Sequence, residues 1–105
     1  MTSKRSAAPT LTPAGRLDEA RLQMVLGYQL AQATIVTSLI FDKVVGEPLE
    51  LRPVEYTVLT LIAENPGGSP AQLARALAVT PPNITAIVDR LVARALVQRK
   101  ASAED

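Results

Sequence analysis

The chain has 105 residues, 48% of them hydrophobic, and a formal net charge of +1, so it is long enough for one compact domain burying roughly 65% of the surface it exposes when unfolded. It contains no cysteine and no histidine, which excludes a disulfide framework, a thiolate zinc site, a thiol nucleophile or redox sensor and the commonest general base, so no enzyme and no cofactor is expected. Three aromatic residues, Tyr28, Phe41 and Tyr56, leave the core to Leu, Val, Ile and Ala, which favours helices over a β-sandwich.

Residues 1–16, opening "MTSKRSAAPTLTPAG", carry a basic pair but no apolar run of signal-peptide length, and read as a flexible tail on a cytoplasmic chain. Residues 17–45 read as one long helix of about 29 residues, roughly 43 Å at 1.5 Å per residue. Within it "LQMVLGYQLAQATIVTSLIF", residues 22–41, contains no charge, which raises a transmembrane reading. Gln23, Gln29, Gln32, Thr34, Thr37 and Ser38 stand against it, because amides and hydroxyls are costly in hydrocarbon. The expectation is instead a helix covered on more than one side, by its own domain and by a second subunit, with no membrane as partner.

Gly46 and Pro48 are expected to break this helix, so residues 17–50 form a helix with its connector and residues 51–105 a second region. That region begins with a helix over Pro53–Glu64, where Pro53 suits the first turn and Val54, Val58, Leu59, Leu61 and Ile62 recur at helical spacing. "ENPGGS" ends it with turn residues. In "SPAQ", Ser69 and Gln72 can form a capping box around Pro70, starting a short helix that ends near Leu77. Thr80 is expected to cap a further helix from Pro81 to about Ala93, whose two leading prolines occupy positions that lack intrahelical N–H partners in any case. "LVQRK", residues 96–100, is a candidate strand. Residues 52–100 hold six basic side chains against three acidic ones, whereas residues 1–51 hold five of each, so the second region is the electropositive one.

The last two helices are separated by a turn of helix-turn-helix length. Ala74 is small where they must approach, Ala78 sits at the turn where glycine would suit a left-handed residue better, and Leu73, Leu77, Ile84 and Ile87 supply the contact. Ile84, Ile87, Val88 and Leu91 form an inward stripe at i, i+3, i+4 and i+7. The opposite arc carries Pro82, Asn83, Ala86, Asp89, Arg90, Ala93 and Arg94, with Thr85 at its margin. Small and hydrogen-bonding residues at its front suit a major groove about 12 Å wide, where Asn pairs with adenine and Thr touches a base or a thymine methyl. Arg90 and Arg94 then lie nearer the phosphates.

The stretch "YTVLTLIAENPGGSPAQLARALAVTPPNITAIVDRLVARALVQR" resembles the winged helix-turn-helix core of the MarR (multiple antibiotic resistance regulator) family of dimeric transcription regulators, over about residues 17–99. "TPPNITAIVDRL" followed by "LVQR" is the most specific part. The resemblance implies a mainly α fold: a winged helix-turn-helix with a long N-terminal dimerisation helix. It implies double-stranded DNA as partner, a pseudo-palindromic operator, a homodimer and a small aromatic or phenolic effector. Thr80, Pro81, Pro82, Asn83 and Thr85 fall at the front of the recognition helix, and Ser69 and Gln72 begin the helix that crosses the DNA backbone. Arg90 and Asp89 match the "DRL" signature, Asp89 being as able to orient a wing arginine as to touch DNA, and Arg99 ends the first wing strand.

Ala95 departs from the family's frequent glycine at the entry to the wing. After "KASAED" the family continues with a wing tip, a second wing strand and helices covering the first helix. The expectation is therefore an incomplete wing, an exposed apolar face on the first helix, self-association, and weaker DNA binding than in a full-length relative. Two other functions fit the composition: a winged helix that binds protein and not DNA, and a small membrane protein built on residues 22–41. A steep loss of affinity with salt distinguishes a DNA ligand from an apolar protein contact.

Overall fold

The structure, a computed structural model, describes residues 8–100, and the chain falls into two compact units, Met1–Ile40 and Phe41–Asp105. In the first unit, residues 10–19 close on themselves. Leu11 and Asp18 form an isolated antiparallel bridge, the Thr12 amide donates to the Leu17 carbonyl at 2.8 Å, and that of Glu19 to Thr10 at 2.9 Å. The expected tail over residues 1–16 is thus a turn from residue 10 onward, and residues 1–7 lie outside the described residues.

The long helix expected from residue 17 begins later. Asp18 Oδ1 accepts the Ala20 amide at 2.9 Å, Ala20 takes φ +47, and a 3-10 helix runs over Ala20–Met24 before Val25 turns extended at φ −98, ψ 113. A short acidic side chain that satisfies the amide two residues on offers the backbone an alternative to helix, and a β-branched residue accepts the extended state readily. The Tyr28 hydroxyl donates to Glu19 Oε2 at 2.6 Å, holding the 3-10 segment to the true helix, α1 (Leu26–Phe41).

None of the sixteen residues of α1 is buried. Leu26, Leu30, Ile35, Val36, Leu39 and Ile40 are all exposed, while Thr34 and Thr37 return their hydroxyls to the Leu30 and Ala33 carbonyls at 2.9 Å. The transmembrane reading of residues 22–41 fails on the break at Val25. At 1.5 Å per residue α1 spans roughly 24 Å, short of a hydrocarbon core of about 30 Å, and no helix among the described residues is long and apolar enough to cross a membrane.

In the second unit Gly46 and Pro48 do not break the chain as expected. A π-helical turn, Asp42–Gly46, leads into one α-helical turn, α2 (Glu47–Leu49), and the helical path ends only at Glu50, in the left-handed region with φ 53. Pro48 lies in the first turn of α2, where a missing N–H costs least. Gly46 serves a close approach: a Cβ there would stand 3.2 Å from Asp42 Oδ1 and 3.3 Å from both the Leu51 carbonyl and the Phe41 ring.

Three helices follow with the expected bounds: α3 (Pro53–Glu64), α4 (Pro70–Leu77) and α5 (Pro81–Ala93). α5 packs on both α3 and α4. Ile84, Ile87, Val88 and Leu91 are buried with Leu51, Val58 and Ala74, and Leu73, Leu77, Ile62 and Val97 pack around them. Ile84, Leu91 and Val58 are the largest fully buried side chains, each worth about 1.5–3 kcal/mol of apolar burial. The Leu96 amide donates to the Leu91 carbonyl at 3.0 Å, but residues 96–100 do not form the expected strand: among the described residues they have no paired neighbour, and a strand without a ladder has no bonds to hold it.

Candidate nucleic-acid interface

Ser69 starts α4 as its spacing predicts. Its Oγ accepts the Gln72 amide at 3.2 Å, and Gln72 Oε1 accepts the Ser69 amide at 2.8 Å. Both caps use oxygen atoms, so the Ser69 hydroxyl proton and the Gln72 NH2 group stay available as outward donors at an exposed helix N-terminus. Beside them an open cleft of about 560 Å³, lined by Ile62, Asn65, Gln72, Leu73 and Ala76 among others, separates the end of α3 from α4.

The turn between α4 and α5 rests on Ala78 in the left-handed region at φ 53, ψ 44, with the Val79 amide donating to the Ala74 carbonyl at 3.0 Å. The turn therefore does adopt the left-handed conformation that glycine would suit better, which an L-residue accepts at a cost. Thr80 stands at the N-cap of α5 with extended backbone, yet its side chain caps nothing. A cap oxygen accepts from the second or third helical N–H; the second is Pro82, which has none, and the Thr80 hydroxyl does not take up the third, that of Asn83.

Ile84, Ile87, Val88 and Leu91 hold α5 to the core, and this orients its other arc outward. Thr80, Pro81, Pro82, Asn83, Thr85, Ala86, Asp89, Arg90 and Arg94 are all exposed, as is Arg99. Thr85 donates its hydroxyl to the Pro81 carbonyl at 3.0 Å, which leaves its methyl and its oxygen lone pairs outward. Among the described residues no hydrogen bond engages the Asn83 amide, so both its donor and its acceptor are free for a ligand.

The arginines behave differently. Arg99 pairs with Asp89 of α5, so the acid of "DRL" does hold an arginine from residues 96–100. Arg90 Nε donates to Glu55 Oε2 at 2.8 Å, and Arg94 donates from Nη1 to the Glu50 carbonyl at 2.6 Å and from Nη2 to the Leu49 carbonyl at 2.9 Å. Glu55 escaped the sequence reading. It is buried at 7% exposure, and its Oε1 accepts the Arg52 amide at 2.8 Å. The amide of Arg52, then the Arg90 side chain, hold its carboxyl below the usual range against the opposing effect of burial. The signal in the sequence was an acid three residues after Arg52 at a proline-led helix start, the N3 position of a capping box.

A family model described as the MarR family matches residues 49–105. Among solved structures the chain is similar to one titled "Transcriptional repressor, CouR", with 34% identity and a TM-score of 0.69; the match covers 79% of this chain and 62% of that one, so this chain spans less than two thirds of its relative's length. No curated protein matches the chain.

Proposed function

The chain belongs to the MarR family, and from that premise we propose that it is a transcription regulator that binds double-stranded DNA as a homodimer, in the cytoplasm, at a pseudo-palindromic operator. The observation that carries this reading is the two-sided character of α5. Its apolar stripe is buried, and its front presents Pro81, Pro82, Asn83 and Thr85 with no large side chain over them. Such a front enters a major groove, where Asn83 is suited to the N6 and N7 of adenine and Thr85 to a thymine methyl or an exocyclic amine.

Ser69 and Gln72 donate to backbone phosphate from the start of α4, and Thr80 lines the approach between the two helices. Arg90, Arg94 and Arg99 are each engaged within the chain, so direct readout is assigned to the residues ahead of them. Support for the homodimer is the uncovered apolar surface of α1. The same chain lacks cysteine and histidine, which favours a small aromatic or phenolic effector over thiol or metal sensing. The similarity to a structure titled as a repressor supports repression as the mode of action.

Selection of bound duplexes from a random pool tests this, and is expected to return two half-sites about one helical turn apart, with affinity falling steeply as salt rises. Replacing Asn83 by Ala should relax preference at one base position by about 1–3 kcal/mol. Failure to enrich any duplex, with protein partners bound in a salt-insensitive way, would assign the winged helix to protein contact instead.

A further inference from the structure

Behind its polar front, α5 and the C-cap residue that ends it send two arginines, four residues apart, back into their own unit. Residues at i and i+4 share one face of a helix, so Arg90 and Arg94 approach a single stretch of chain, residues 49–55. Arg94 spends both terminal nitrogens on consecutive carbonyls, Glu50 at 2.6 Å and Leu49 at 2.9 Å, at the point where α2 ends in a left-handed residue. Arg90 Nε meets Glu55 Oε2 at 2.8 Å, and the other oxygen of that buried carboxylate holds the Arg52 amide at the start of α3. One contact fixes a point on a helix, whereas two contacts one turn apart fix its direction. The planar Arg94 guanidinium, on two consecutive carbonyls, and the directional Arg90 Nε–H on a carboxylate oxygen set that direction more tightly than freely rotating ammonium groups could.

We infer that Arg90 and Arg94 are positioning residues that hold the tilt of α5 through residues 49–55, with Glu55 as the anchor for Arg90, and that neither is a ligand of DNA phosphate. This rests on the proposed DNA-binding role of α5. An arginine whose charge is matched by a carboxylate, or whose donors are committed to carbonyls, displaces few counterions when DNA arrives. The stretch that these arginines grip is also the link between the helical segment ending at Glu50 and the helix-turn-helix, so a shift of that link is passed directly to the recognition helix.

The test uses the full chain and a duplex obtained by selection, with Arg90→Gln, Arg94→Gln, Glu55→Gln, Arg90→Lys and Arg94→Lys variants whose folded fraction is checked by circular dichroism. Two quantities are read: the slope of log affinity against log salt, and the ratio of affinities for the selected duplex and for one altered at the base read by Asn83. The slope is expected to stay at the parent value in every variant, because a lost phosphate contact would reduce it by about 0.9. The ratio is expected to fall by roughly 2- to 30-fold, Glu55→Gln matching Arg90→Gln, and the lysine variants are not expected to restore it.

Loss of slope in Arg90→Gln or Arg94→Gln overturns the inference, as does an unchanged ratio with affinity for both duplexes lowered equally, the signature of simple destabilisation. Should a glutamine variant not fold, its lysine counterpart, which keeps the charge, decides the ratio. Full discrimination by that lysine variant overturns the inference. Absence of any duplex binding by the parent chain overturns the proposed function together with this inference, whereas binding with a reduced slope overturns this inference alone.

Discussion

Ala78 and Ala95 both adopt left-handed backbone, with φ of 53 and 61, one in the turn before α5 and one just after it. Left-handed backbone costs an L-residue roughly 1–2 kcal/mol, and glycine returns part of that gain through its larger unfolded-state entropy. Ala78→Gly is therefore expected to stabilise the fold by about 0.5–1 kcal/mol, seen as a higher urea midpoint with an unchanged slope. Glu55 makes stability depend on pH in acid. Its pKa is depressed in the folded state, so its contribution to stability is complete above the usual carboxylate range and is lost as pH falls through its lower folded value. Unfolding of the parent and of Glu55→Gln followed against pH should show a stability gap near neutrality that closes in acid; a gap that persists there would remove the carboxylate from the account.

Helix starts in this chain illustrate how the same position is served differently. α4 begins with a reciprocal box between Ser69 and Gln72, whereas α5 begins with Thr80, whose side chain caps nothing. Ser69→Ala is expected to cost about 0.5–2 kcal/mol, and Thr80→Ala much less, on the same thermal or denaturant scale. Equal losses at the two sites would mean that Thr80 acts through contacts other than the helix N-terminus. α1 is set by its ends in another way: Asp18 and the extended Val25 keep residues 17–25 out of the helix, although their composition permits it.

For the molecule as a whole, the excess of basic over acidic side chains lies in residues 52–100, but much of it is spent internally on Glu55, Asp89 and backbone carbonyls. Under the proposed role, the salt dependence of DNA affinity would come from cations outside these pairs, among them the exposed Arg75 of α4. The apolar residues of α1, exposed among the described residues, are the surface on which the proposed homodimer would form. Sedimentation is expected to show concentration-dependent association, and a single monomeric species at high micromolar concentration would contradict it. Leu30→Glu together with Ile35→Glu should shift the equilibrium towards monomer and weaken binding to a two-half-site duplex more than to a single half-site.

The bounds of α3, α4 and α5, the capping box at Ser69, and the stripe from Ile84 to Leu91 were legible in the sequence because each depends on residues three or four positions apart, where spacing and side-chain chemistry act locally. The start of α1 was not, since one hydrogen bond from Ala20 to Asp18 outweighed a long helical composition. Nor was the fate of Arg90 and Arg94, which as exposed arginines on a recognition face read as phosphate contacts. Their partners lie 35 to 45 residues away. Spacing along a helix says which way a side chain leaves it, but only the tertiary placement of α5, packed on α3, brings a carboxylate and the two carbonyls at the end of α2 within reach of those guanidinium groups, and Coulomb attraction at 2.6 to 2.9 Å then decides where they go.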